Sequence, residues 1–324
     1  MPSEFAQGAP AVADSAAGLS VAAKILQARF RLLGVLEQAE TISDFPQRIT
    51  EIAQQLQLAC LQDSDVALAV ILHAQEGGYG VRHAVDTATV VEVACRRVGM
   101  SLADRQSVVC AALTMNLGML ALQETLTQQA GPLTPAQRIT MQEHPQLGRD
   151  MLRALGVADL LWLDCVLQHH EAPDGSGYPA RLKGDGIRFE ARLIGLADRY
   201  CARLTQSAWR KAAAVDTAMF DSLAQNGGVD AKLGALFGDT LGLYPPGAVV
   251  QLKNGEVAVV RAEGKDQRTP TVVSLLDAKG DVLAESPVRD TAQDAYRIAH
   301  VLDPRLMAGR LRSTLVWGAT AAGL

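Results

Sequence analysis

The sequence predicts a mainly α-helical bundle that ends in a small β appendage. Three observations point there. Apolar residues recur at helical spacing over most of residues 20–240. Aromatic residues are only 4% of a chain that is 48% hydrophobic, so the core must come mostly from Leu, Val and Ala, which suits packed helices. Beyond Tyr244-Pro245-Pro246-Gly247 the pattern turns into short β-type runs around Asn254-Gly255, the strongest short-range hairpin signal. The 324 residues suit one sizeable domain with an appendage, or two domains.

The elements follow in order. Residues 1–19 are rich in Ala, Gly, Pro and Ser and hold no Lys or Arg, so a disordered start is expected rather than a signal peptide. N-terminal helices are expected over 20–78. Val21, Ile25, Leu26, Phe30, Leu33 and Leu36 mark the first, over 20–40, and Phe45-Pro46 breaks it. Residues 47–61 and 64–75 read as two more, with Ser64 as an N-cap and Asp65 in the first turn. Gly77-Gly78-Tyr79-Gly80 closes this region. A second helical region is expected over 79–240. It has a helix over 83–98 and then, from the capping-box spacing Ser101-Leu102-Ala103-Asp104, an apolar helix through 122. Thr134-Pro135-Ala136-Gln137 is a better capping box, and Pro145 fits the first turn of a helix that starts beside His144. Helices over 160–170 and 189–204 flank a Gly/Pro loop at 173–186, and two or three weaker ones reach 240. The β appendage is expected over 244–290, with strands at 249–252, 256–260 and 271–276 and a turn at Lys279-Gly280-Asp281. Residues 291–324 read as a short helix or tail that packs on the body. No internal repeat stands out.

Charge and composition exclude some classes. The net charge is −5 and no long basic tract occurs, which argues against sequence-independent nucleic-acid binding. The most apolar segment, 108–122, is 15 residues long and interrupted by Thr114 and Asn116, too short for a membrane span. Cys60, Cys95, Cys110, Cys165 and Cys201 occur singly, as buried reduced thiols do, so a cytoplasmic protein is expected.

The chemistry concentrates in the histidines. Of six, two are adjacent, His169-His170, and run into Glu171-Ala172-Pro173-Asp174-Gly175-Ser176-Gly177-Tyr178-Pro179. Neighbouring His on a helix point about 100° apart, so both reach one ion only near a helix end, and this helix is about to stop. The plainer reading, two helix C-caps, explains one His better than two. His144 before Pro145 and His83 after a glycine-rich turn carry little alone. His73 in an apolar helix reads as structural, and His300 in the tail as irrelevant. Asp198, inside Leu193-Ile194-Gly195-Leu196-Ala197, needs a metal or a partner such as Arg192 or Arg199.

The stretch His169–Pro179 resembles the HHExxDGxGYP motif of HD-GYP proteins. They are a branch of the HD phosphohydrolase superfamily whose known activity is cyclic di-GMP hydrolysis. The likeness runs from about Tyr79 to Thr240, through Tyr79-Gly80-Val81-Arg82-His83, His144-Pro145 and residues 191–200. It implies an HD-superfamily helical bundle with two metals. His83 matches the first ligand, His144 the next, His169 and His170 the pair, and Asp198 the last carboxylate. Met115 and Asn116 stand where the eponymous His and Asp belong, and Met119 where a Lys follows. In the family that Asp bridges the two metals. One metal also takes the first His, the His of the pair and the last Asp, and the second takes the other three His. Cys201, Ser207 and Trp209 depart from the family's Asp, Arg and Tyr.

Asn116 is neutral and bridges two cations poorly, Met115 offers a soft thioether, and Met119 removes a cation. His83 and Asp198 are therefore expected as remnants of a metal half-site. His144, His169 and His170 can hold one Fe, Mn or Zn ion, or none. Gly175, Gly177, Tyr178, Pro179, Arg181, Lys183, Arg188 and Arg192 are the candidate ligand-binding residues, the basic ones meeting phosphate. The resulting expectation is a catalytically impaired protein that binds a ligand or protein in cyclic di-GMP signalling. The partners in view are cyclic di-GMP or a related nucleotide, a signalling protein such as a diguanylate cyclase domain, and a second copy in a homodimer. Two alternatives stay open: an active phosphodiesterase with a mononuclear or rearranged site, and a structural adaptor without a small ligand.

Overall fold

The computed structural model describes residues 18–206, 212–224 and 231–324. Most of the expected disordered start, together with Ser207 and Trp209, lies outside the described residues.

The body is helical, as the spacing predicts. Helix α1 (Val21–Glu37) starts where the Ser20 hydroxyl accepts from the Ala23 N–H. Pro46 lies in the first turn of α2 (Phe45–Gln62), so Phe45-Pro46 opens that helix as well as separating it from α1. Helix α3 (Ser64–His73) is capped by Asp63, whose carboxylate accepts from Val66 N–H at 3.1 Å, and not by Ser64. Asp outranks a hydroxyl there because it also brings negative charge to the positive helix end. Helix α4 (Tyr79–Arg97) begins four residues before His83, and places that histidine in its second turn.

Two departures from the sequence reading shape the site. The apolar helix expected through 122 stops early: α5 (Leu102–Thr114) gives way to a 3-10 turn at Leu117–Met119 and then to α6 (Leu120–Gln128). The break falls at Met115-Asn116. The second departure is α7 (Pro135–Ala154), which runs unbroken through Pro145 instead of starting beside it. Proline cannot supply an N–H to the carbonyl four residues back. That carbonyl belongs to Met141, and His144 Nδ1 donates to it at 2.7 Å instead. The Thr134–Gln137 capping box is present in both directions.

Helices α8 (Leu160–Gln168), α9 (Phe189–Leu204), α10 (Val215–Ala224) and α11 (Ala231–Leu241) complete the body. Helix α4 runs through its middle, against α1, α2, α3, α5, α6, α9 and α11. Two buried charges on α4 are paired: Asp86 with Arg29 at 2.7 Å, and Glu92 with Arg105 at 2.7 Å. The apolar stretch 108–113 is buried in this bundle.

The appendage is one antiparallel sheet in the order β4-β3-β2-β1-β5. Its strands are β1 (Val249–Leu252), β2 (Val257–Ala262), β3 (Thr271–Leu276), β4 (Val288–Asp290) and β5 (Ile298–Leu302). The Asn254-Gly255 turn joins β1 to β2, with Val250 opposite Ala258. Strand β5 comes from the stretch expected as tail, and pairs with β1 from Val249↔Leu302 onward. Its residues are half-buried at both ends and exposed at Ala299 and His300, so no period-2 alternation marked it. The short helix expected near the C-terminus is α12 (Ser313–Trp317). Trp317 Nε1 donates to Arg261 O at 2.8 Å, Thr320 to Asp63, and Ser20 to Ala322 O, which ties sheet, tail and α1–α3 together.

Two glycines let the site elements close. A Cβ at Gly118 would lie 2.4 Å from His144 O, and one at Gly195 would lie 2.1 Å from His169 O. Any larger residue pushes α7 off the 3-10 turn, or α9 off the end of α8. Gly195→Ala is therefore expected to lower stability by about 2–3 kcal/mol, read from urea unfolding. Gly34→Ala, on an open face of α1 with nothing within 4 Å, is the control and should gain up to about 1 kcal/mol.

Candidate metal centre

Two helices deliver three imidazoles to one point. His144 comes from the middle of α7, and His169 and His170 from the end of α8. One nitrogen of each lies within 4.8 Å of the others. Backbone carbonyls fix the tautomers of two. His144 Nδ1 donates to Met141 O at 2.7 Å and His169 Nδ1 to Val166 O at 2.8 Å. A carbonyl only accepts, so the proton sits on Nδ1 and each Nε2 carries a lone pair. Those two Nε2 atoms face each other at 3.2 Å. Opposed lone pairs repel unless a cation lies between them. Two nitrogens bound at about 2.0–2.1 Å to one tetrahedral Zn²⁺ sit roughly 3.3 Å apart, so the donor set fits one ion.

All three rings are held neutral. Burial, reinforced by His169, pushes His144 down to about 3. Burial also lowers His169, and burial with His169 beside it takes His170 well below the usual range. Neutral imidazole is the form that binds metal.

His83 and Asp198 stand apart from this group. His83 Nε2 donates to Asp198 Oδ1 at 2.6 Å, so Asp198 is paired with His83 and not with Arg192 or Arg199. Burial alone would raise the Asp198 carboxyl, but the hydrogen bond from His83 holds it below the usual carboxylate range. Asn116 is 5% exposed and its Oδ1 has no hydrogen-bond partner among the described residues. Met115 is fully buried in the apolar core and takes no part in the cleft. Met119 does line it.

The cleft holds about 240 Å³ and is bounded by Tyr79, His83, Asn116, Met119, Gln123, Met141, His170, Tyr178 and Asp198, among others. No Lys or Arg is among its described lining. The four basic candidates are placed elsewhere. Arg181 lines a separate groove of about 710 Å³ on the outer side of the glycine-rich loop, with Glu143 and Asp150. Lys183 lays its chain over Gly175, Arg188 pairs with Asp164 at 2.8 Å, and Arg192 lies on α9 outside the cleft lining. Of the loop, Gly175, Gly177 and Pro179 face the outer groove, and Tyr178 borders both spaces. Its ring stacks on His170 at 4.8 Å.

Three contributors escape the sequence reading. Glu171 pins the loop by accepting from Ala180 N–H at 2.6 Å and Leu182 N–H at 2.9 Å. Gln123 reaches the cleft from α6, four residues after Met119, a spacing that marks one helix face. Met141 arrives because α7 continues through Pro145. His73, read as structural, bonds the Gly247 carbonyl beneath the sheet.

Residues 21–233 match the family model described as HD domain. The chain belongs to the HD domain family. This HD domain is 25% identical over 242 residues to a cyclic di-GMP phosphodiesterase of Pseudomonas aeruginosa, covering 74% of this chain and 58% of that protein. A cyclic di-GMP phosphodiesterase response regulator of Xanthomonas campestris is 28% identical over 143 residues, 43% of this chain and 37% of its own length. The chain therefore spans little more than half, or less, of these relatives. Among solved structures, an HDG“Y”P protein from Bdellovibrio bacteriovorus superposes with a TM-score of 0.57 at 16% identity, over 70% of this chain and 74% of that one. That likeness shows the fold, and the helical HD bundle with its C-terminal sheet agrees with the fold expected from the motif.

Neutral buried histidines make stability depend on pH. Their folded pKa values lie below the unfolded value of about 6.5, so the unfolded state takes up protons first. The stability is complete above pH 6.5 and falls as pH drops toward 3, by up to about 1.4 kcal/mol per pH unit for each such group. The metal-free protein is expected to melt at a lower temperature at pH 5 than at pH 7.5. His144→Gln should flatten that dependence, as followed by circular dichroism.

Proposed function

We propose that this HD domain is catalytically impaired and acts by binding in cyclic di-GMP signalling. The observation that carries the reading is Asn116, a neutral amide with an unpartnered oxygen where a bridging carboxylate would stand, beside a His83 already committed to Asp198. Metal phosphodiesterases use two ions about 3.5–4 Å apart to aim a nucleophile and to meet the leaving oxygen. Half of that clamp has lost its charge. The other half, His144, His169 and His170, is suited to a single Fe, Mn or Zn ion, which would supply Lewis-acid attraction for a phosphodiester. The names of the relatives support cyclic di-GMP as the ligand.

The facing Nε2 atoms of His144 and His169 favour one second reading, a mononuclear phosphodiesterase. It differs in outcome. The impaired protein should carry no more than one ion per chain by elemental analysis. It should bind cyclic di-GMP without multiple turnover in Mn²⁺ or Fe²⁺. Two tightly held ions, or turnover abolished by His169→Ala, would defeat the proposal. Met115→His, Asn116→Asp and Met119→Lys together should raise metal content toward two per chain.

A further inference from the structure

Helix α1 turns a face to solvent that its own chain does not explain. One side of it is fastened to the bundle. Arg29 pairs with Asp86 at 2.7 Å and donates to Ala74 O, and the Gln55 amide donates to Lys24 O at 2.6 Å. The opposite side carries Ala23, Leu26, Phe30, Leu33 and Glu37. Their spacing alternates three and four residues, which puts all five on one stripe of the helix. Phe30 is 78% exposed and Leu33 42%. Gly34 adjoins the stripe, and a Cβ there would meet nothing within 4 Å. A glycine in the middle of a helix weakens it, and no contact within the chain calls for one here. The stripe is apolar until its last position, Glu37.

A three-four apolar stripe is the seam along which two helices pack. Isolated helices of this length form such a seam weakly, because they must first become helical. Here α1 is already folded and fixed on the body, so that cost is absent. The charges select the partner and its direction. Helix α1 has no acidic residue in its first turn and no basic residue in its last. Glu37 lies in that last turn, at the negative end of its own helix, where a carboxylate is disfavoured. A second α1 crossing antiparallel brings each Glu37 to the positive end of the other helix. A parallel pair would set the two carboxylates side by side. The face is thus self-complementary about a two-fold axis.

We infer that the Ala23–Glu37 stripe of α1 is the contact surface of a homodimer, with a second copy of this chain lying antiparallel across it. The axis passes beside Phe30. The two Phe30 rings meet there, each Leu26 lies over the Gly34 of the other copy, and each Glu37 comes beside the other's Ala23. No residue of α1 lines the metal cleft, so the pairing stands apart from the metal and its ligand. A seam of this length is at the small end of specific interfaces, so a dissociation constant of roughly tens of micromolar is expected.

The test is sedimentation velocity on the full, metal-free chain from about 5 to 200 μM. The dimer should be the main species at the upper end. Phe30→Ser should weaken it roughly tenfold or more. Its circular dichroism and thermal midpoint in dilute solution should stay those of the parent, because the ring is mostly exposed. Leu102→Ser, which removes a 61% exposed side chain from α5, should leave the dimer as it is. Direction is read by cross-linking. Under mild oxidation Ala23→Cys chains mixed with Glu37→Cys chains should join, and neither should join alone; the five native cysteines are buried. A monomer throughout the range overturns the inference, and would leave the stripe to residues 1–17 or to a different protein. A dimer that Phe30→Ser leaves intact, or that Leu102→Ser weakens equally, overturns it too. Ala23→Cys chains that join to one another overturn the antiparallel arrangement.

Discussion

Two divalent ions about 4 Å apart repel by roughly 17 kcal/mol even at an effective dielectric constant of about 20. A dinuclear centre exists because an anion shared between the ions offsets that repulsion. Residue 116 is where such an anion would sit, and here it is an amide. The other features of the cleft follow from that charge. Asp198 accepts a hydrogen bond from His83, and Met119 gives the wall an apolar side chain at that point. Met115 fills core space.

The surviving histidines owe their arrangement to backbone, not to metal. Pro145 removes an N–H from the middle of α7, and the freed Met141 carbonyl is taken by His144 Nδ1. His169 repeats the device at the end of α8 with Val166 O. Each bond sets a tautomer and turns a lone pair toward the same point. The side chains are thus oriented before any ion arrives, at the expense of two opposed lone pairs. Glycines make the approach possible, Gly118 beneath His144 and Gly195 beneath His169. Proline, histidine and glycine in these positions form one mechanical unit.

This unit also shows what a linear reading can and cannot see. The apolar periodicity located α1 to α5, α8 and α9, and the Asn-Gly turn located the hairpin, because both signals are local. The motif from His169 to Pro179 named two of the three clustered histidines for the same reason. Pro145 misled, because its helix-breaking cost is offset by a side chain whose direction the sequence does not display. The break at Met115-Asn116 was hidden inside an apolar run that looks continuous. Strand β5 was missed because its partner, β1, lies some fifty residues earlier and the strand alternates weakly. The basic residues after the loop looked like phosphate ligands by proximity in sequence. In space Arg188 answers Asp164 and Lys183 covers Gly175.

A cleft keeps its shape more easily than its chemistry. Glu171 still pins the loop through two backbone N–H groups, and Tyr178 still stacks on His170. Neither contact involves residue 116, so replacing the carboxylate leaves the walls standing. What changes is the sign of what the walls attract. A pair of ions draws anions, whereas the side chains that line this cleft include Asp198, Asn116 and Gln123 and, among the described residues, no Lys or Arg.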